Sequence, residues 1–280
     1  MNLVDFLLNL AALLLWLNWR SAKFRLGPRV GMTGYSALLQ QTGPPGFRRT
    51  GVLCGLVALL TLRTWFYWKA GSGVRWVPSL DLGVVTLPFK SISLGRMALY
   101  SAGSFAVVWV VFYLWLLLLS MVNRSHPETD VWQKLVRLHL GWVEGWPLAV
   151  KLLAPWLLAA CGWYLAHPGL VALGMVLPPK STVHLWQQGL VIGLGTFIAW
   201  KYLIGGVLLM HIVNSYLYLG NYSLWTFIGA TARHFLAPLR WAPLRWGQID
   251  FTPVAGIALV FLVAQWAERS LSGLLARLPL

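Results

Sequence analysis

The sequence predicts an all-α fold: a polytopic helical membrane protein of about six transmembrane helices, set out as three helical hairpins with amphipathic interfacial loops. Three observations carry this. Hydrophobic residues make up 58% of the chain and charged residues 10%, far from the balance of a water-soluble domain. Apolar runs close to the ~20 residues that a bilayer crossing needs recur along the chain. Trp residues gather at the ends of those runs (Trp16, Trp19, Trp65, Trp68, Trp146, Trp266), as an interfacial belt requires. A membrane β-barrel is excluded, because stretches such as 107–119 are apolar on every face whereas barrel strands alternate.

The six expected spans are 3–17, 51–67, 97–121, 148–166, 189–213 and 251–266. The first and last are short, so flanking Trp and Arg anchor them. Asp5 lies ahead of the first apolar run and no small-residue cleavage site follows it, which reads as a retained span and not a signal peptide. Orientation follows from Lys and Arg. The loop after the first span holds Arg20, Lys23, Arg25, Arg29, Arg48 and Arg49 without an acid. The loop after the third holds Arg124, Lys134 and Arg137, and that after the fifth Arg233, Arg240 and Arg245. The positive-inside rule places these loops in the cytoplasm and both termini outside. The net charge of +15, from 22 basic residues against seven acids, then reads as basic loops held against anionic headgroups, and direct nucleic-acid binding is not expected. Cys54 and Cys161 lie inside apolar runs, so neither a disulfide nor a metal site is expected of them.

The chain repeats itself. Each outside-to-inside span finishes on an Asn: Asn18, Asn123 and Asn214. Met121-Val122-Asn123 resembles Ile212-Val213-Asn214, with Trp132 and Trp225 following. Each of these two loops closes with an acid three residues before a proline, Glu144 to Pro147 and Asp250 to Pro253. An acid with Pro just inside a helix start satisfies free N–H groups and the positive dipole end, so Glu144, Pro147, Asp250 and Pro253 are candidate helix caps. The division is 1–95, an N-terminal hairpin with a connecting segment; 96–186, a degenerate hairpin; and 187–280, the better-formed one.

The last loop is the most distinctive segment. A Pro-Leu-Arg-Trp unit occurs in tandem at Pro238 to Trp241 and Pro243 to Trp246, and leads through Asp250-Phe251-Thr252-Pro253 into an apolar run. Arg side chains there can meet phosphates while Leu and Trp sit at the acyl boundary, so Arg233, Pro238, Arg240, Trp241, Pro243, Arg245 and Trp246 form a candidate lipid or partner interface. The series Leu236-Ala237-Pro238-Leu239-Arg240, Pro243, Gly247, Asp250 and Thr252-Pro253, followed by an aliphatic span, resembles the YggT family of integral membrane proteins. The likeness is good over 203–267 and partial over 100–166, where Glu144-Gly145-Trp146-Pro147 stands in place of the Asp-x-Ser-Pro element. The additional N-terminal hairpin would make this an enlarged member. The resemblance implies a non-enzymatic protein of the bacterial inner membrane, in a family associated with osmotic tolerance, division-linked operons, cytochrome assembly and nucleoid distribution.

Lys201 is the candidate intramembrane polar site. A charge at mid-span costs roughly 2.5–3.5 kcal/mol, so such residues face a protein interior or a wet cavity unless they snorkel. No acid is expected at its depth, which weakens a proton-relay or ion-coupling reading. Arg63 and Lys151 lie nearer span ends, where snorkelling suffices. Of the six His only His211 lies inside an expected span, too few for a haem held between helices, and no cofactor is expected. The run Ser125 to Asp130 reads as a turn and helix start, not a metal site. Nucleophile elbow, phosphate loop and zinc-helix motifs are absent. Gly189 and Gly193 have the spacing of a helix-packing motif, serving either packing within the chain or self-association.

Two functions from different classes follow. The first is a scaffold or assembly factor whose basic cytoplasmic loops bind anionic lipid and partner proteins. The alternative is a small-solute or ion channel or transporter linked to osmotic tolerance, built on the repeated hairpins and Lys201.

Overall fold

The computed structural model describes residues 3–21, 45–74, 76–91, 93–124, 131–217, 222–239, 241, 244–246 and 249–278; side chains at 21, 45–49, 72, 74, 245, 246 and 249 are outside that description. Among the described residues six helical runs are long and apolar enough to cross a bilayer: Leu3–Arg20, Thr50–Gly71, Leu94–Val122, Leu148–Ala172, Thr182–Leu217 and Thr252–Arg277. The protein is an all-α, multi-pass membrane protein. Helices are the form such segments must take, since hydrocarbon offers no partner for a free backbone N–H or C=O. Large side chains such as Leu158, Leu165 and Leu262 stay exposed on them, as lipid-facing positions do. Cys54 and Cys161 are free and exposed.

The chain divides into two compact units, Met1–Leu80 with Pro88–Trp109, and Asp81–Leu87 with Val110–Leu280. The first contains helices α1 (Leu3–Ser21) and α2 (Pro45–Val74), which pack together, and the beginning of α3 (Leu94–Val122). Asp5 in the first turn of α1 and Arg20 in its last complement the helix dipole. Short strands β1 (Ser79–Asp81) and β2 (Thr86–Pro88) pair in the connection from α2 to α3. Tyr67, Trp76, Phe89 and Tyr100 pack edge-to-face or tilted at centroid distances of 5.2–6.2 Å.

The second unit contains the end of α3, then α4 (Val131–Leu140), α5 (Leu148–Ala172), α6 (Thr182–Gly195), α7 (Trp200–Leu217), α8 (Ser223–Phe235) and α9 (Thr252–Arg277). Its closest packing is of α5 on α6 and of α7 on α9. Gly189 on α6 lets the backbones meet: a Cβ there would lie 2.9 Å from the Ala160 carbonyl oxygen. Trp156 Nε1 donates to the Leu190 carbonyl at 2.9 Å, and Tyr164 stacks on Trp186 beside it. The Gly189 face therefore serves packing within the chain.

Two differences from the expected spans matter. The fifth is continuous helix from Thr182, tightening to a 3-10 turn at Thr196–Ala199. The sixth does not close at 266 but runs to Arg277, because Gly and Pro are absent from Ala267 to Ser272 and its charge at Glu268 finds a partner. That extension changes the reading of Lys201.

The loops after the third and fifth spans each contain an amphipathic helix, α4 and α8, and these pack on one another. Val136 and Leu140 of α4 close over Leu116 and Leu117 of α3, and Ala232 and Leu236 close over Leu208 of α7. Beyond α8 the chain makes a 3-10 turn, Ala237–Leu239, and a ribbon of β3 (Arg245–Trp246) antiparallel to β4 (Ile249–Asp250).

Candidate functional site

Among the described residues ion pairs form around three acids, Asp5, Glu144 and Glu268, and the most enclosed was not anticipated. In the first unit, Asp5 and Asn9 of α1, Arg63 and Tyr67 of α2, and Tyr100 and Ser104 of α3 converge, each with at most 4% exposure. Arg63 Nη2 lies 2.9 Å from Asp5 Oδ1, and Nη1 donates to Asn9 Oδ1 at 2.7 Å. Nη2 also donates to Ser104 Oγ at 3.2 Å, which accepts from Asn9 Nδ2 at 2.8 Å. Tyr67 and Tyr100 hydroxyls complete the Asp5 carboxylate, the second at 3.0 Å. Both tyrosine rings flank the guanidinium, 5.3 and 5.7 Å from their centroids. Arg63 does not snorkel. It is held inside the helices because Asp5, Asn9 and Ser104 accept from its two terminal nitrogens and two tyrosine rings flank it, while its buried Nε has no partner among the described residues. The signal was present in the sequence: each helix presents its two polar groups four residues apart, which puts them on one face.

The second pair lies where α3 ends and α5 begins. Lys151 Nζ donates to Ser120 Oγ at 2.9 Å and to Glu144 Oε2 at 3.4 Å, while Ser120 donates to Glu144. Arg137 Nε stands 3.6 Å from the other Glu144 oxygen. The expected capping role of Glu144 is thus corrected. Glu144 sits in a 3-10 turn, Gly141–Gly145, and its carboxylate is taken by side chains of α3, α4 and α5. Pro147 occupies the N-cap of α5 itself, with no side-chain cap. In the later loop Asp250 Oδ1 does accept from the Thr252 N–H at 2.9 Å, with Pro253 in the first turn of α9.

Lys201 also has a partner, contrary to expectation: Nζ is 3.3 Å from Glu268 Oε2, and the ammonium lies over the Tyr202 ring. Sequence reasoning missed Glu268 because it ended the last span before it. Between the two loops, Asn123 Nδ2 donates to Thr231 Oγ1 at 2.9 Å in a fully buried contact, and Gln133 Nε2 donates to the Asn123 carbonyl.

Of the expected interface, Arg233 is exposed and donates to its own helix at Gly229, Pro238 is exposed in the 3-10 turn, and Trp241 is 85% exposed. Arg245 and Trp246 lie on β3, where only their backbone is described; Arg240 and Pro243 lie outside the described residues. So do Lys23, Arg25 and Arg29 and the turn at 125–130. Among the described residues no three His, Cys, Asp or Glu are grouped to hold a metal ion. Comparison of the chain with protein-family models, with curated proteins and with solved structures found no match in any of the three.

Proposed function

We propose that this multi-pass protein is a non-enzymatic scaffold or assembly factor of the YggT type. It sits in a bacterial inner membrane with both termini outside and its basic loops in the cytoplasm. The observation that carries the reading is the pair of amphipathic helices α4 and α8. They pack on each other, are bridged by Asn123 at the end of α3, which donates to Thr231 of α8 and accepts from Gln133 of α4, and have Arg137, His139, Arg233 and His234 in their last turns. Such a platform presents basic side chains at the headgroup level, and Trp241, which follows α8 in the chain, is exposed and suited to the acyl boundary. Its ligands are anionic lipid and a membrane-protein partner, or a second copy of this chain.

The pathway alternative was built on the repeated hairpins and Lys201, and that lysine is paired with Glu268, a partly exposed acid toward the end of the last helix. Crosslinking and gentle-detergent co-purification from native membranes tests the scaffold reading. Wild type should recover a defined protein that Arg240→Gln/Arg245→Gln loses. Recovery of lipid alone, equal in both proteins, would overturn it.

A further inference from the structure

The polar cluster at the end of α3 has room beside it. A cavity of about 300 Å³ adjoins Ser120, Arg124, Arg137, Glu144 and Lys151, with Met121 and Leu148 forming its apolar wall. Among the described lining residues three cations face one carboxylate, leaving two positive charges in excess. Glu144 is shared by Ser120, Lys151 and Arg137, and one carboxylate does not neutralise three cations. The first turn of α5 adds to this. Its N-cap, Pro147, offers no side-chain acceptor, so backbone N–H groups and the positive dipole end stand at the Leu148 edge of the cleft.

We propose that this cleft binds a phosphate group, and that an anionic lipid headgroup supplies it. Guanidinium forks suit tetrahedral phosphate, and an ammonium held against Ser120 adds a fixed charge. The cleft opens where one span ends at Val122 and the next begins at Leu148, which is the level of headgroup phosphates. Met121 and Leu148 give the glycerol and first acyl carbons an apolar wall. This rests on the reading above that the chain meets anionic lipid, and narrows that contact to one built site away from the Pro-Leu-Arg-Trp loop.

The test is retention of lipid by the full chain. Protein is reconstituted in phosphatidylcholine doped with phosphatidylglycerol, extracted gently, and weighed by native mass spectrometry. Retained phosphatidylglycerol should fall roughly tenfold or more in Arg124→Gln/Arg137→Gln, as loss of charge-assisted contacts implies. It should stay unchanged in Lys134→Gln, whose side chain is exposed on α4. Glu144→Gln should raise retention, an effect of opposite sign that misfolding would not produce. Equal retention in wild type and the double variant overturns the proposal, as does an equal loss in Lys134→Gln, which would mean diffuse surface charge. Inorganic phosphate in a second arm separates the sources. Thermal stabilisation by phosphate without retained lipid overturns the headgroup assignment. Arg240→Gln/Arg245→Gln run in parallel reports on the scaffold reading: if it loses the protein partner while the cleft variants keep their lipid, the cleft fails and the scaffold reading stands.

Discussion

The Asp5–Arg63 and Glu144–Lys151 pairs use the same chemistry in opposite settings. Around Asp5 side-chain exposure is 3% or less, and three helices contribute two polar residues each to the cluster. Around Glu144 the carboxylate is 22% exposed, Arg137 is 24% exposed, and an open cleft adjoins them. A sealed pair can only hold helices together, since desolvation consumes most of its attraction and nothing else can enter. A pair at the edge of a cleft keeps hydrogen-bonding capacity for a ligand. The contrast assigns a structural role to the first and a recognition role to the second.

Removing one side of the sealed pair should have the largest effect. Arg63→Met leaves the Asp5 carboxylate with hydroxyl donors alone and should cost about 3–5 kcal/mol, read as thermal unfolding in detergent. Asp5→Leu/Arg63→Met should recover most of it, because an apolar replacement of both charges removes the stranded ion. Unfolding of Arg63→Met at the wild-type temperature would end the structural reading. Asn9→Leu, which takes the acceptor from Arg63 Nη1 but leaves the ion pair, should cost about 1–3 kcal/mol in the same measurement. Lys151→Met, on the edge of the cleft, should cost about 1.5 kcal/mol, since Ser120 and Arg137 still serve Glu144. A cost as large as that of Arg63→Met would show this pair to be sealed after all. The smallest effect belongs to Lys201→Met. Its partner Glu268 is 43% exposed, so solvent compensates and the change should stay below about 1 kcal/mol.

The spans were legible because burial in lipid demands long apolar helices, and composition alone reports that. The two amphipathic loops were legible in outline for the same reason. What escaped was pairing between distant residues. Arg63 looked like a snorkelling cation because the sequence does not say that Asp5, 58 residues earlier, shares its depth. Glu144 has the spacing of a cap acid, but the 3-10 turn points its carboxylate toward Ser120 and Lys151. Lys201 seemed alone only because the last helix was ended two residues before Glu268. In each case the missed fact is a tertiary contact that decides whether a charge is stranded or satisfied. The polar residues spaced four apart on α1, α2 and α3 were the one local clue.

Asp5 and Arg63 also set an order of events during synthesis. The ribosome delivers the acid of α1 to the membrane before the guanidinium of α2 exists. Until then Asp5, in the first turn of α1, lacks the guanidinium and the Tyr67 hydroxyl that satisfy its carboxylate. The packing of the first helix is therefore completed only by residues made more than fifty positions later. A ribosome stalled before Arg63 would leave the Asp5 carboxylate without its cation.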